Sequence, residues 1–135
     1  MKDLISRAEE LLDRCGTVTL TSVGADGYPR ASVMTKLHTD GIRVFSFFAR
    51  ETSKKTQNFR QDPKACISYE APGGSVTLVG DVRICADAGR KRELWVPQLE
   101  RIFPMGPDST ELVILEFTAR EGTFCFAGRV EDCAL

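Results

Sequence analysis

From residue 17 onward the hydrophobic pattern has a period of two and is cut at short intervals by Gly-containing turns, which few folds accommodate. Val18, Leu20 and Ser22 alternate with Thr17, Thr19 and Thr21, and β-branched residues of this kind suit a pleated strand. Ala25-Asp26-Gly27-Tyr28-Pro29 is a tight turn: Asp-Gly supplies positive φ, and Pro29 is barred from a central ladder position. The chain returns over 30–37, turns at Thr39-Asp40-Gly41 and runs out over 42–48. Three strands in succession joined by such turns predict an antiparallel meander. Residues 64–69 and 75–85 continue the pattern across Pro72-Gly73-Gly74, with a bulge or bend expected at Gly80. Residues 111–118 and 122–126 read as the last two strands, and 128–135 as a loose tail.

Three stretches have helical spacing instead. Leu4, Ile5, Ala8, Leu11, Leu12 and Cys15 recur every three or four residues, predicting an amphipathic helix over 1–15 that Gly16 ends. A short helix opens at Ser53 and stops at Asp62-Pro63. Residues 86–103 place Trp95, Leu99, Ile102 and Phe103 on one side, and Pro97 divides them into two short helices or a kinked one. Six or seven antiparallel strands with short flanking helices predict a mainly β, α+β fold: a small closed or nearly closed barrel, which removes exposed edges. Its 135 residues suit a single domain.

A net charge of −1 and a pI near 5.9 exclude the basic excess of a nucleic-acid binder. Five widely spaced cysteines, no C-x-x-C and a single histidine predict free thiols and no metal site. The N-terminus lacks the apolar segment of a signal peptide, and no run reaches the ~20 apolar residues of a membrane span. These features predict a cytoplasmic protein.

The stretch over 45–63 carries the strongest chemical signal. Ser53 stands at a helix cap with Lys54 and Lys55 in the first turn, where the helix dipole favours acidic residues. Two readings stand open. Free N–H groups, the Ser53 hydroxyl and both ammonium groups cradle a phosphate, or Lys54, Lys55 and Arg60 form a solvated face. His38, before Thr39-Asp40-Gly41, is expected in an exposed loop.

In order and spacing, several of these segments resemble the pyridoxamine 5′-phosphate oxidase-like FMN-binding split barrels, in particular their short general stress protein branch. The markers are Asp26-Gly27-Tyr28-Pro29 leading into Ser32-Val33-Met34, the run from Phe47 to Lys55 followed by Pro63, Val79-Gly80-Asp81-Val82, and Leu94-Trp95 with Phe103-Pro104-Met105-Gly106-Pro107. The resemblance implies a split β-barrel, a homodimer and FMN in a groove between the subunits. It implies that Lys55 meets the phosphate beside Ser53 and Lys54, that Phe48 and Ala49 follow the ribityl chain and ring edge, and that Ser32, Val33 and Met34 face the ring. Ser75 matches a polar position that contacts the ring in true oxidases, and Trp95 either stacks near the flavin or packs in the core or interface.

Two positions depart from the family pattern: Ser32 stands where the family commonly has Arg, and Ala49 where it usually has Thr. Arg30, two residues before Ser32 on the same strand face, is the candidate substitute. The Arg-Gln pair of true pyridoxamine 5′-phosphate oxidases is replaced by Gly74-Ser75-Val76-Thr77, so that activity is not expected. The resemblance implies an FMN-dependent oxidoreductase acting on a small molecule, with no catalytic residue assigned because the flavin carries the chemistry. The alternatives are a non-catalytic flavin or haem binder or stress-response protein that acts through a partner, a deazaflavin protein, or a barrel serving only as a dimerisation scaffold.

Overall fold

A computed structural model describes residues 3–135; the first two residues of the expected N-terminal helix lie outside them. Helix α1 (Leu4–Asp13) starts at Asp3, whose carboxylate accepts from the Ser6 N–H. It buries Ala8, Leu11 and Leu12, the apolar stripe read from the sequence. Eight strands follow: β1 (Thr17–Val23), β2 (Pro29–Thr35), β3 (His38–Asp40), β4 (Val44–Arg50), β5 (Lys64–Ala71), β6 (Gly74–Cys85), β7 (Leu112–Phe126) and β8 (Arg129–Ala134). Helix α2 (Lys54–Gln61) joins β4 to β5. Helix α3 (Ala88–Leu94) and a 3-10 turn (Pro97–Arg101) stand between β6 and β7. The break between those two falls at Pro97, as the sequence predicts.

The sheet is antiparallel in the order β2-β1-β5-β6-β7-β4-β3, with β8 against β7. It curls as a split barrel of the expected α+β, mainly β type. The three-strand meander does not form. β1 pairs with β2, but β4 pairs with β7, setting Phe45 opposite Phe117 with edge-to-face rings 6.0 Å apart. The Asp40-Gly41 turn instead closes a short hairpin of β3 on β4, with Gly41 at φ 57°. Turn chemistry fixes a hairpin, whereas the neighbour of a strand buried over five successive residues is decided by burial. β4 takes the strand that buries Leu112, Val113, Ile114 and Leu115 completely.

The segments 111–118 and 122–126 are one strand, not two. The register shifts opposite Val79 and Gly80, so that Arg120 is the extra residue of a bulge and its guanidinium lies 3.6 Å from Asp81 Oδ2. A Cβ on Gly80 would stand 2.1 Å from the Thr118 carbonyl oxygen, which is why the strands approach closely only at a glycine. The tail is not loose either. Ala127 and Gly128, at φ 52° and 76°, turn the chain back as β8, and positive φ at both central residues matches the twist of a two-residue hairpin.

Two apolar clusters lie on either side of the sheet. The larger unites α1 with Leu20, Phe45, Ile67, Leu78, Phe117 and Phe124. The Tyr69 hydroxyl donates to the Ala8 carbonyl at 2.9 Å beneath α1. The second joins Phe48, Leu112 and Ile114 of the sheet to Leu94, Leu99 and Phe103, with Trp95 half-buried against it. Each fully buried Leu or Phe contributes about 1.5–3 kcal/mol, enough to hold the 3-10 turn and its flanks against β4 and β7. Lys91, buried on α3, donates from Nζ to the carbonyls of Ser109 and Leu112 at 2.9 and 3.0 Å, which pins the irregular segment after Phe103. Among the described residues no helix is long and apolar enough to cross a membrane.

Candidate functional site

β2 and the β4–β3 hairpin are the two ends of the strand path, and the curl of the sheet brings them to opposite sides of one groove. Val33, Met34 and Thr35 of β2, with Leu37 just beyond it, form one side. Phe47, Phe48, Ala49 and Arg50 of β4 form another, and Leu99, Ile102 and Phe103 a third. Ser53 and Lys55, at the start of α2, close one end. The cavity is about 310 Å³, the lower end of the range for small-molecule sites.

Its basic end follows from local sequence. Ser53 is extended, and its Oγ accepts from the Thr56 N–H at 3.3 Å while lying 2.8 Å from Thr56 Oγ1. Thr56 in turn donates to the Arg50 carbonyl at 2.8 Å. This lattice fixes the turn between β4 and α2. With Ser53 occupied by Thr56, the first-turn N–H groups of Lys54 and Lys55 remain for a ligand. Lys55 is half-buried on the wall and Lys54 is exposed off it. Among the described residues Lys55 has no ion pair, and no Asp or Glu lines the groove. Met34, Phe47 and Phe48 supply an apolar floor. An uncompensated ammonium at one end and an apolar surface beside it fit a phosphorylated, ring-bearing molecule such as FMN.

Of the residues singled out in the sequence, the groove therefore brings together Val33, Met34, Phe48, Ala49, Ser53 and Lys55. Arg30 and Ser32 share the inward strand face with Met34 but do not line it. Arg30 is held by Asp26, 2.8 Å from its carboxylate, and donates to the Tyr28 carbonyl at 3.3 Å. The Tyr28 N–H and then Arg30 hold the Asp26 carboxyl below its usual range. Trp95 lies behind the wall, its ring edge-on to Phe48 at 5.7 Å, in the packing role that an aromatic at helical spacing also allows. Ser75 lies elsewhere, lining a shallow polar hollow on the outer face of β1, β5 and β6 together with Thr19, Val33 and Ser68.

Sequence reasoning misses seven of the lining residues: Thr35, Leu37, Phe47, Arg50, Leu99, Ile102 and Phe103. Arg50 directly follows the apolar run of β4, and its charge is the available signal. His38 is not in an exposed loop. It is half-buried in β3, with Nε2–H donating to the Leu94 carbonyl, and it lines a separate cavity with Asp40, Ser46 and Arg90. All five cysteines are unpaired, and the described residues contain no cluster of metal-ligating side chains.

A family model for pyridoxamine 5′-phosphate oxidase matches residues 4–126. No curated protein matches the chain significantly. Among solved structures, a Clostridium acetobutylicum protein related to general stress protein 26 of Bacillus subtilis superposes with a TM-score of 0.88 at 23% identity, over 98% of this chain and 94% of the other. General stress protein 26 of Bacillus anthracis gives 0.81 at 18% identity, covering 98% of each chain. A haem-binding protein of Mycobacterium smegmatis gives 0.79 at 17% identity, over 99% of this chain and 59% of the other. At these identities the likeness speaks for the fold.

Proposed function

Because the chain belongs to the pyridoxamine 5′-phosphate oxidase family, we propose that it is a homodimeric, cytoplasmic FMN-binding protein that exchanges electrons with a small molecule at the groove between β2 and β4. The observation that carries this reading is Lys55: a half-buried residue whose ammonium has no partner among the described residues, in a groove with no carboxylate. A cation beside an apolar surface with no carboxylate to pair with gains a charge-assisted contact from a phosphate. Bound there, the flavin supplies a redox-active ring that the protein's own side chains lack. Lys55 and the N–H groups at the start of α2 hold the phosphate, while Met34, Phe47 and Phe48 keep water from the ring. Ala49 and Ser32 withdraw two contacts that the family usually provides, so weaker FMN retention is part of the reading.

The outer face of the sheet supports the dimer. Val33, Thr19, Ser68 and Thr77 follow one another across β2, β1, β5 and β6, and Ala31, Thr21, Cys66 and Val79 form the next row. Neither row carries a charge, and Val33 is 73% exposed. A second copy on this face would reach the groove through Val33, which lines both the groove and the outer hollow. Free thiols, with the Cys66 thiol pushed up by burial, suit a reducing compartment. Haem fits the groove less well, since Met34 is the one described lining side chain of the usual axial kinds and His38 lies elsewhere.

Freshly purified protein should be yellow, release FMN on denaturation with one flavin per chain, and sediment as a dimer. Reduction of the flavin by NADH or NADPH and its reoxidation by a diffusible acceptor is the result expected for an enzyme. Flavin inert to both assigns the protein to the non-catalytic binders. A monomer, or release of haem or a deazaflavin, sinks the corresponding part of the proposal.

A further inference from the structure

We propose that Arg50 is a second cationic contact of this groove, and that Arg50 and Lys55 together select a phosphate monoester; this rests on the phosphate reading of Lys55. Arg50 ends β4 and lines the groove. Its backbone belongs to the turn that opens α2, since its carbonyl accepts from the Ser53 N–H at 3.0 Å and from the Thr56 hydroxyl. The side chain turns toward the opposite wall: one guanidinium nitrogen donates to the Ile102 carbonyl at 3.1 Å, and the group lies 5.6 Å from the Phe103 ring centre. No carboxylate among the described residues pairs with it, although Arg60 and Arg30 nearby are paired with Glu51 and Asp26.

Two uncompensated cations therefore border a single cavity that has no acidic residue among the described ones. A carboxylate would neutralise one of them. A phosphate monoester carries about −1.5 to −2 at pH 7 and matches both. The guanidinium has five donors in a planar fork, and only one hydrogen bond to the described residues occupies it. The Ile102 carbonyl and the Phe103 ring restrain the side chain before any ligand arrives, so less rotamer freedom is lost on binding. Arg30, tied to Asp26, does not take this part.

The experiment compares FMN with riboflavin, which lacks the phosphate, in fluorescence titrations of the full chain and of Arg50→Gln, Arg50→Lys and Lys55→Gln. Arg50→Gln should weaken FMN roughly tenfold or more and leave riboflavin unchanged, and Arg50→Lys should recover part of the loss. FMN bound by Arg50→Gln as tightly as by the natural chain overturns the proposal. So does an equal loss of FMN and riboflavin, which makes Arg50 a prop for the wall at Ile102 and Phe103. If the natural chain binds neither flavin, the flavin reading fails by itself, and phenyl phosphate then decides on Arg50 through the amide NMR shifts of Ser53 to Thr56. Shifts that need both cations sustain the proposal; no shifts, or shifts indifferent to Arg50→Gln, end it.

Discussion

Lys54 and Lys55 are neighbours in the chain but occupy different surfaces: Lys55 is half-buried in the groove wall, and Lys54 is exposed beyond its rim. Successive positions of a helix diverge by about 100°, so only one of the two can face a ligand beside β4. Lys55→Ala should weaken FMN by roughly 1.5–3 kcal/mol, the worth of a charge-assisted hydrogen bond. Lys54→Ala should lose far less and mainly alter the salt dependence of binding. Flavin fluorescence titrations of both variants measure this, and equal losses would mean that net charge near α2, not contact, holds the ligand.

Arg30→Ala should leave FMN affinity unchanged. Its guanidinium is committed to Asp26 and the Tyr28 carbonyl at the β1–β2 turn, and it does not line the groove. The ion pair is exposed on the surface, so its loss should barely alter stability. A clear drop in flavin affinity, with an unaltered urea midpoint, would show that Arg30 leaves Asp26 for the ligand.

These two residues show where sequence reasoning reaches and where it stops. A helix start with a Ser cap and lysines is local chemistry, so Ser53 and Lys55 are legible in the sequence itself. Arg30 looks equivalent to a groove residue because strand parity puts it on the face of Met34, but parity does not report the local carboxylate of Asp26. The partner of β4 is hidden for a related reason: Phe45, Phe47 and Phe48 demand burial without naming Phe117 or Ile114 as neighbours. β8 is hidden because 129–134 has almost no buried side chains and its turn is Ala-Gly, without the Asn-Gly or Asp-Gly signal. The 3-10 wall of the groove is readable as a helix broken at Pro97, but its position against β4 comes from packing of Leu99 and Phe103.

Phe48→Ser should separate packing from ligand binding. Phe48 is buried between the groove and the second cluster, with its ring edge-on to Trp95. Removing it costs about 3–5 kcal/mol in large-to-small core substitutions, and a buried hydroxyl adds to the loss. The urea midpoint should fall accordingly, and the fluorescence of Trp95, the sole tryptophan, should change in the folded state. Unchanged stability and emission would place Phe48 outside the cluster.

Tyr69 offers a test of how α1 is held, independent of any ligand. Its hydroxyl is buried under α1, donates to the Ala8 carbonyl, and has its pKa raised by burial and then by the charges of Cys15 and Glu9. In the unfolded chain the phenol ionises near pH 10. A pKa raised in the folded state means that the associated stability is complete below that pH and is lost as the pH rises through it, because the unfolded chain then releases a proton that the folded chain keeps. Tyr69→Phe should cost about 1 kcal/mol at neutral pH through the lost hydrogen bond, and the natural chain should lose more stability than this variant between pH 9 and 11, a window set by that ionisation. Urea titrations of both at these pH values compare the slopes directly. Parallel slopes would show that the phenol ionises as readily in the fold as in the open chain, and that α1 does not seal it from water.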